Sequence, residues 1–435
     1  MSAAELRKKY PEFLYKGYSY ELKKGDLEMS FHFEVGEIKF RPQVVIKNVS
    51  QRDVDRVGDG ALQNLMFHLG LAEMPSYWKA TASPRIIVEA GYLNKAQLNW
   101  WHDLFLKGMG QYFYENKINF RAKNFLTITS RAEGCFPMLS KPLRNNILLP
   151  IGGGKDAIVT YEILKKAGEK VQPFVLNPKK EHSAILRVAG EKNPIVVERT
   201  IDPALLKLNQ KGYLNGHTPF SSYLAFLTVL CAALFNQKYV VLSNERSSNE
   251  GNVQYLGHEI NHQYSKSWDF EKRFRSYSKA YLAPSVEYFS FLRPLYELQI
   301  AKIFSRYPKY FPYFLSCNEA HKTLSGAHKP TERWCGKCSK CLFVFLALCS
   351  FAGEERTVCI FKKNLLRDAS LKPLLDELTG KRKFKPFECV GTIGESRTAL
   401  SLCQGKIKTH RLLCSWNPQH ALPPHLENKL KSVVG

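Results

Sequence analysis

Residues 147–151, Ile-Leu-Leu-Pro-Ile, pass directly into three glycines and then into a segment of helical spacing, 157–166, closed by Gly168. This strand–turn–helix constrains the chain more than any other feature, because the next strand must then run parallel and be reached by a crossover. That strand is expected at 171–176. Further strand signals at 195–197 and 239–242 flank an apolar helix at 224–235. Repeated βα units of this kind imply an α/β fold built on a doubly wound parallel sheet, with helices on both faces.

Around this core the periodicity changes. Phe31, Phe33 and Val35 alternate with Ser30, His32 and Glu34, Gly36 interrupts, and Ile38 and Phe40 resume the pattern, so a β-hairpin is expected. Residues 53–71 and 95–116 have helical spacing and 85–89 reads as a strand, which makes residues 1–135 an N-terminal α+β domain. Residues 140–352 are expected to form the α/β domain that carries the parallel sheet. Residues 353–435 read as a small helical region whose tail from Pro418 is loose. A length of 435 residues with 44% hydrophobic content supports several buried cores.

No apolar run follows the charged start of the chain, so a secretory signal is not expected. The apolar runs 224–235 and 341–352 fall short of the roughly 18 residues a membrane span needs, and read as buried core helices. A cytoplasmic protein without membrane insertion follows, with its eleven cysteines reduced or holding metal. A formal net charge of +24 favours polyanionic partners: RNA, nucleotides or nucleotide-sugars.

The glycine loop carries the first chemistry. A strand that ends in Gly152, Gly153 and Gly154 and opens a helix leaves backbone N–H groups at the positive end of the helix dipole, where a phosphate fits. Lys155 adds charge, and Asp156 is placed to hold Mg²⁺ or cap the helix. A Walker A loop is excluded, since Leu149 and Asp156 occupy positions that require Gly and Ser or Thr. Gly152-Gly-Gly-Lys-Asp-Ala157 instead resembles the S-G-G-x-D-S loop of the N-type ATP pyrophosphatases, which implies ATP binding on an adenine nucleotide alpha-hydrolase-like fold. The chain departs from that pattern at both serines, replaced by Gly152 and Ala157.

Cys335, Cys338 and Cys341, spaced C-x₂-C-x₂-C and preceded by Cys317, offer four thiolates for one tetrahedral Zn²⁺. The same spacing also suits an iron–sulfur cluster. The order of glycine loop, apolar helix, Arg293-Pro-Leu295, Ser316-Cys317 and cysteine triplet resembles the deazaguanine nitrile synthases of the same superfamily, whose cysteines hold a structural zinc.

Two polar segments lie between these motifs. Residues 243–252 follow the strand at 239–242, at the carboxyl edge where open α/β sheets place ligands. There Glu245 and Glu250 are candidates for a metal or a proton, and Arg246 for clamping a carboxylate or phosphate. Residues 258–266 add His258, His262, Tyr264 and Lys266, each a plausible acid or base. His258-Glu-Ile-Asn-His262 matches a zincin pattern, but no downstream ligand is evident and substrate binding is the better reading. Ser221 or Ser222 is expected to cap the apolar helix, and Tyr77, Trp78 and Lys79 read either as core or as an aromatic and basic stacking platform.

Taken together, His68-Leu-Gly-Leu71, Ser76-Tyr-Trp-Lys79, the loop at Gly152, Ser243-Asn-Glu-Arg246 and Asn261-His-Gln-Tyr264 resemble the UDP-N-acetyl-alpha-D-muramoyl-L-alanyl-L-glutamate epimerases (MurL-type) over nearly the whole chain. The resemblance implies inversion of the terminal L-glutamate of UDP-MurNAc-L-Ala-L-Glu through an acyl-adenylate, with ATP converted to AMP and diphosphate during peptidoglycan synthesis. Glu245, His262, Tyr264 and Lys266 are the candidates for proton transfer, and Arg246 for carboxylate recognition. Rival readings are an RNA- or deazaguanine-modifying pyrophosphatase, favoured by the basic charge, the lysines near Lys381 and the cysteine motif, and a non-catalytic RNA-binding protein in which Gly152 and Ala157 mark a decayed loop.

Overall fold

The computed structural model describes residues 1–131, 134, 136–321, 331 and 333–434. Its strands are β1 (Glu12–Lys23), β2 (Asp26–Val35), β3 (Ile38–Phe40), β4 (Gln43–Ile46), β5 (Arg85–Val88), β6 (Thr127–Ser130), β7 (Arg144–Pro150), β8 (Val171–Leu176), β9 (Ile195–Thr200), β10 (Gln237–Leu242), β11 (Val253–Tyr255), β12 (His258–Ile260) and β13 (Glu287–Ser290). All but the small β11–β12 hairpin belong to one sheet, ordered β13-β10-β7-β8-β9-β4-β2-β1-β5-β6, with β3 on β2. The molecule is an α/β protein.

Strands β13, β10, β7, β8 and β9 are mutually parallel. Their order in the sheet reverses between β7 and β10, which opens a crevice at the carboxyl ends of those two strands. Side chains alternate between two cores: Leu148, Phe174, Val240 and Tyr288 enter one, and Leu149, Val175, Val241 and Phe289 the other. Both faces are therefore covered, as a parallel sheet requires. The helices Phe220–Leu234 and Trp268–Tyr281 cover the first face, while Lys155–Lys166, Glu297–Phe304 and Ser339–Ala352 cover the second.

The amino-terminal strands extend this sheet. β4 runs antiparallel to β9, with Ile46 opposite Val197, and β2 and β1 follow in antiparallel pairing. β5 and β6 then lie parallel beyond β1. The helix Asp59–Trp78 is buried on almost all sides, and its Glu73 makes a paired contact with Arg199 of β9, at 2.6 Å from Nη2 and 2.9 Å from Nε.

Several expectations need correcting. The twelve-residue strand β1 has no counterpart in the sequence reading, because the alternation begun by Phe13 and Tyr15 slips out of phase at a bulge near Lys16 and Gly17 before Tyr18, Tyr20 and Leu22 resume it. Pro219, not a serine, occupies the N-cap of Phe220–Leu234, and Ser222 Oγ donates back to the Pro219 carbonyl. The tail is anchored, since Leu426 and Leu430 of Pro424–Val434 are fully buried in the second core. Cys349 and Cys403 are joined in a disulfide, so not every thiol is free. Tyr77 and Trp78 are core residues with no exposed surface. His258 lies on β12 and is exposed, so it shares no helix face with His262.

Candidate active site

The glycine loop sits at the end of β7, at the edge of the crevice. Gly153 has φ +84°, and a Cβ there would lie 3.1 Å from the Leu315 carbonyl oxygen. Only glycine satisfies both conditions. The Leu315 amide donates to the Gly153 carbonyl at 2.8 Å, which seats residues 315–317 against the loop. Gly154 is the N-cap of Lys155–Lys166 and supplies no side-chain cap, while the space around Gly152 is open. The amides of the first helical turn are thus left for an external acceptor.

Lys155 turns inward. Its Nζ donates to Asp156 Oδ1 at 2.6 Å and to Glu297 Oε1 at 2.9 Å. Lys340 Nζ reaches the same Glu297 oxygen at 2.8 Å. Burial would raise the Glu297 carboxyl, but the two ammonium groups outweigh it and hold it at about 2. Glu297 Oε2 and, nearby at the end of β10, Ser243 Oγ are buried with no hydrogen-bond partner. Orphaned buried oxygens cost free energy unless a ligand satisfies them.

Across the crevice, Glu245 follows β10 and is 6% exposed. Burial, then the negative charges of Glu297 and Asp156, push its carboxyl up to about 7. Its loop is held by Arg293, whose Nη1 donates to the Glu245 carbonyl at 2.7 Å and whose Nη2 pairs with Glu271 at 2.9 Å. Arg246 lays its guanidinium over the Tyr296 ring, 4.4 Å from the centroid. Glu250 is committed elsewhere, accepting from Lys385 Nζ at 2.9 Å and from the Ile393 amide at 3.0 Å.

Lys266 and His262 converge on Cys389, at 3.2 Å and 3.8 Å from its sulfur. Burial would lower the Lys266 pKa, but Cys389 and Glu245 more than offset this and raise it. His262 Nδ1 lies 2.5 Å from Gln111 Oε1, and its ring is 4.3 Å from that of His217. Burial, followed by Lys266 and Lys385, lowers His262 to about 3, so the ring is neutral. Lys79 donates to the Gly216 carbonyl at 3.1 Å, and burial, then Arg199, lowers it to about 8.

The structure therefore gathers Glu245, His262 and Lys266 with the residues behind the glycine loop, but not Tyr264. The turn Tyr264–Lys266 sends successive side chains apart, and the Tyr264 hydroxyl donates to Asp269 at 3.0 Å. Sequence reasoning missed Glu297, Lys340 and Cys389. Lys340 stands inside the quoted cysteine motif and was legible there as a conspicuous charge at the start of an apolar helix, whereas nothing in the local pattern marks Cys389.

The four cysteines also come together. Cys317, Cys335, Cys338 and Cys341 place their sulfurs within 4.8 Å of one another, a cluster able to hold a metal ion. Backbone amides point at them: Cys335 to Cys317 Sγ at 3.5 Å, Lys337 to Cys335 Sγ at 3.4 Å and Cys341 to Cys338 Sγ at 3.4 Å. Residues 322–330, between the first and second ligands, lie outside the described residues.

Two family models cover most of the chain, the MurL N-terminal domain over residues 4–291 and the MurL C-terminal domain over residues 313–420. The chain belongs to the MurL family. A family member from Xanthomonas oryzae pv. oryzae (strain MAFF 311018), named UDP-N-acetyl-alpha-D-muramoyl-L-alanyl-L-glutamate epimerase, is 36% identical over 345 residues, 79% of this chain and 75% of its own. Proteins of the same name from Micromonospora sp. and Salinispora tropica are 38% and 35% identical, covering 75% and 90% of this chain and 72% and 84% of theirs. The MurL N-terminal model spans both the amino-terminal strands and the parallel core, matching the single sheet that joins them. Among the described residues, no helix is long and apolar enough to cross a membrane.

Proposed function

We propose that this protein is an ATP-dependent epimerase that inverts the terminal L-glutamate of UDP-MurNAc-L-Ala-L-Glu to D-glutamate, releasing AMP and diphosphate, in the cytoplasmic stage of peptidoglycan synthesis. The observation that carries this reading is the uncapped start of Lys155–Lys166 at the sheet's switch point, facing the buried acid Glu245. Kinship with relatives named for the same reaction supports it.

In this reading the fold is of the adenine nucleotide alpha-hydrolase type, and the amides after Gly152, Gly153 and Gly154 receive the phosphates of ATP. With the family serines absent, backbone takes over their contacts. Asp156, with Glu297 Oε2 free beside it, would hold Mg²⁺, which supplies charge neutralisation at the diphosphate leaving group. Residues 1–135 wall the substrate side, residues 140–352 bind the nucleotide, and residues 353–435 close the crevice from behind. Arg246 takes the substrate's carboxylate.

Adenylation matters because a carboxylate resists loss of its neighbouring α-proton, whereas an acyl-adenylate accepts the developing charge into a neutral carbonyl. Glu245, poised at about 7, is protonated in a large fraction of molecules near neutrality and returns a proton to the α-carbon. The half-buried Lys266 stabilises the enolate charge. Water then hydrolyses the adenylate.

The cysteine cluster holds Zn²⁺ in a structural role. Zn–S bonds of about 2.3 Å in a tetrahedron separate the sulfurs by roughly 3.8 Å. Cys335–Cys341 at 3.7 Å and Cys338–Cys341 at 3.5 Å fit that spacing.

The reading is tested by incubating purified protein with ATP and UDP-MurNAc-L-Ala-L-Glu, its D-Glu isomer, a deazaguanine precursor or tRNA, and following diphosphate release and the chirality of released glutamate. Diphosphate with the L-Glu substrate and recovery of D-glutamate are expected. Release only with tRNA or the deazaguanine precursor would move the protein to nucleoside modification.

A further inference from the structure

We infer that Cys389 is a catalytic residue of the inversion, one of the two groups that exchange a proton with the α-carbon; this rests on the epimerase reading above. Cys389 belongs to the C-terminal region, in the segment Phe387-Glu-Cys-Val390, and crosses to the crevice to meet residues more than a hundred positions away. Its backbone is fixed there, because its carbonyl accepts from Lys340 Nζ.

Two contacts equip the sulfur for proton exchange. Lys266 Nζ, 3.2 Å away and half-buried, donates a hydrogen bond to it and places a positive charge beside it. On another side stands His262 Nε2 at 3.8 Å. Since the neutral His262 ring gives its Nδ1 proton to Gln111 Oε1, its Nε2 carries a lone pair, which accepts a proton from the sulfur. A cation and a proton acceptor thus flank one nucleophilic atom. Independently, His217 Nδ1, Glu297 Oε2 and Ser243 Oγ are buried without partners around the same crevice, which marks it as a space for a polar ligand and not as packed core.

The Cys389 thiolate takes the α-hydrogen of the glutamyl adenylate as a proton: the Cα–H bond breaks, an S–H bond forms, and the electron pair moves into the acyl carbonyl as an enolate. Glu245 gives its carboxyl proton to the opposite face, forming the new Cα–H bond. The S–H proton leaves through His262 Nε2 to water, and water reprotonates Glu245. No oxidant or reductant is consumed.

The test runs Cys389→Ser and wild type in D₂O with ATP and UDP-MurNAc-L-Ala-L-Glu, measuring diphosphate, glutamate chirality and α-deuterium. Wild type yields D-glutamate carrying one α-deuterium. Cys389→Ser is expected to lose D-glutamate and deuterium incorporation by about a hundredfold or more, the usual worth of a positioned acid or base, while still releasing diphosphate and returning L-glutamate. Inversion within about threefold of wild type overturns the inference, since that is far below the effect of removing such a group. Loss of diphosphate release in step with inversion also overturns it, making Cys389 a residue that positions the nucleotide site. Wild type that releases no diphosphate with this substrate would instead sink the epimerase reading itself.

A second measurement needs no variant. Iodoacetamide labelling of wild type, mapped by mass spectrometry, is expected to modify Cys389, to be slowed by ATP with substrate, and to leave ATP cleavage without inversion; labelled enzyme that still inverts overturns the inference. The exposed Cys359→Ser serves as the control with unchanged inversion.

Discussion

At the residue scale the most informative group is Glu245, whose carboxyl is raised to about 7 by burial and by the charges of Glu297 and Asp156. A carboxyl raised above its unfolded value holds its proton more tightly when folded, so its contribution to stability is full at pH below about 4.5 and is lost as pH climbs through about 7. Each pKa unit corresponds to about 1.4 kcal/mol, so the rise from 4.5 to about 7 sets an upper bound of roughly 3.5 kcal/mol on this effect. Glu245→Gln is therefore expected to gain stability relative to wild type between pH 5 and pH 8, as read by urea unfolding at several pH values. A difference between the two proteins that is flat across that range would contradict the burial argument. The same variant should lose inversion, since glutamine returns no proton. Residue identity alone did not rank Glu245 above Glu250: both stand in one polar loop, and only the contacts of Glu250 with Lys385 and Ile393 commit it to structure.

At the element scale the cysteine knuckle does more than brace the fold. Cys338 is the N-cap of Ser339–Ala352, its sulfur accepting from the Cys341 amide, and the next turn delivers Lys340 to Glu297. The Leu315 amide ties the segment before Cys317 to Gly153. Cysteine cluster, helix start and glycine loop are thus mechanically joined. Cys338→Ser, or chelation, is expected to take bound zinc from one per chain to none by elemental mass spectrometry. It should also lower Tm by at least about 5 °C, since metal binding in such sites is folding free energy, and weaken ATP binding. Retained zinc stoichiometry in the variant would remove the cluster assignment. The spacing of the triplet made this element legible in advance, because its ligands are local. The cap of Phe220–Leu234 was not, because Pro219 at the N-cap and the backward hydrogen bond of Ser222 depend on how the preceding segment enters.

At the scale of the whole molecule, β4 on β9 welds the amino-terminal strands to the parallel core, and the buried Glu73–Arg199 pair fastens the helix Asp59–Trp78 to the same strand. Removing one partner of a buried ion pair leaves an uncompensated charge and costs about 3–5 kcal/mol. Glu73→Gln should accordingly lower the unfolding free energy by about that amount, with amino-terminal and core fluorescence signals still melting together; separate transitions would show that the two halves are only loosely coupled. The sequence by itself determined what local chemistry dictates: the βα units with their apolar alternation, the glycine loop, the cysteine knuckle, the basic charge and the polar loops after β10. Those features arise from neighbours within a few residues, where periodicity and spacing speak directly. Only the tertiary structure decided that Cys389 from the C-terminal region meets Lys266 and His262, that Glu297 stands between Lys155 and Lys340, that Tyr264 turns to Asp269, and that one sheet runs through both halves. Such meetings depend on where the chain returns after long excursions, and packing and burial, not the local pattern, choose which side chains then touch.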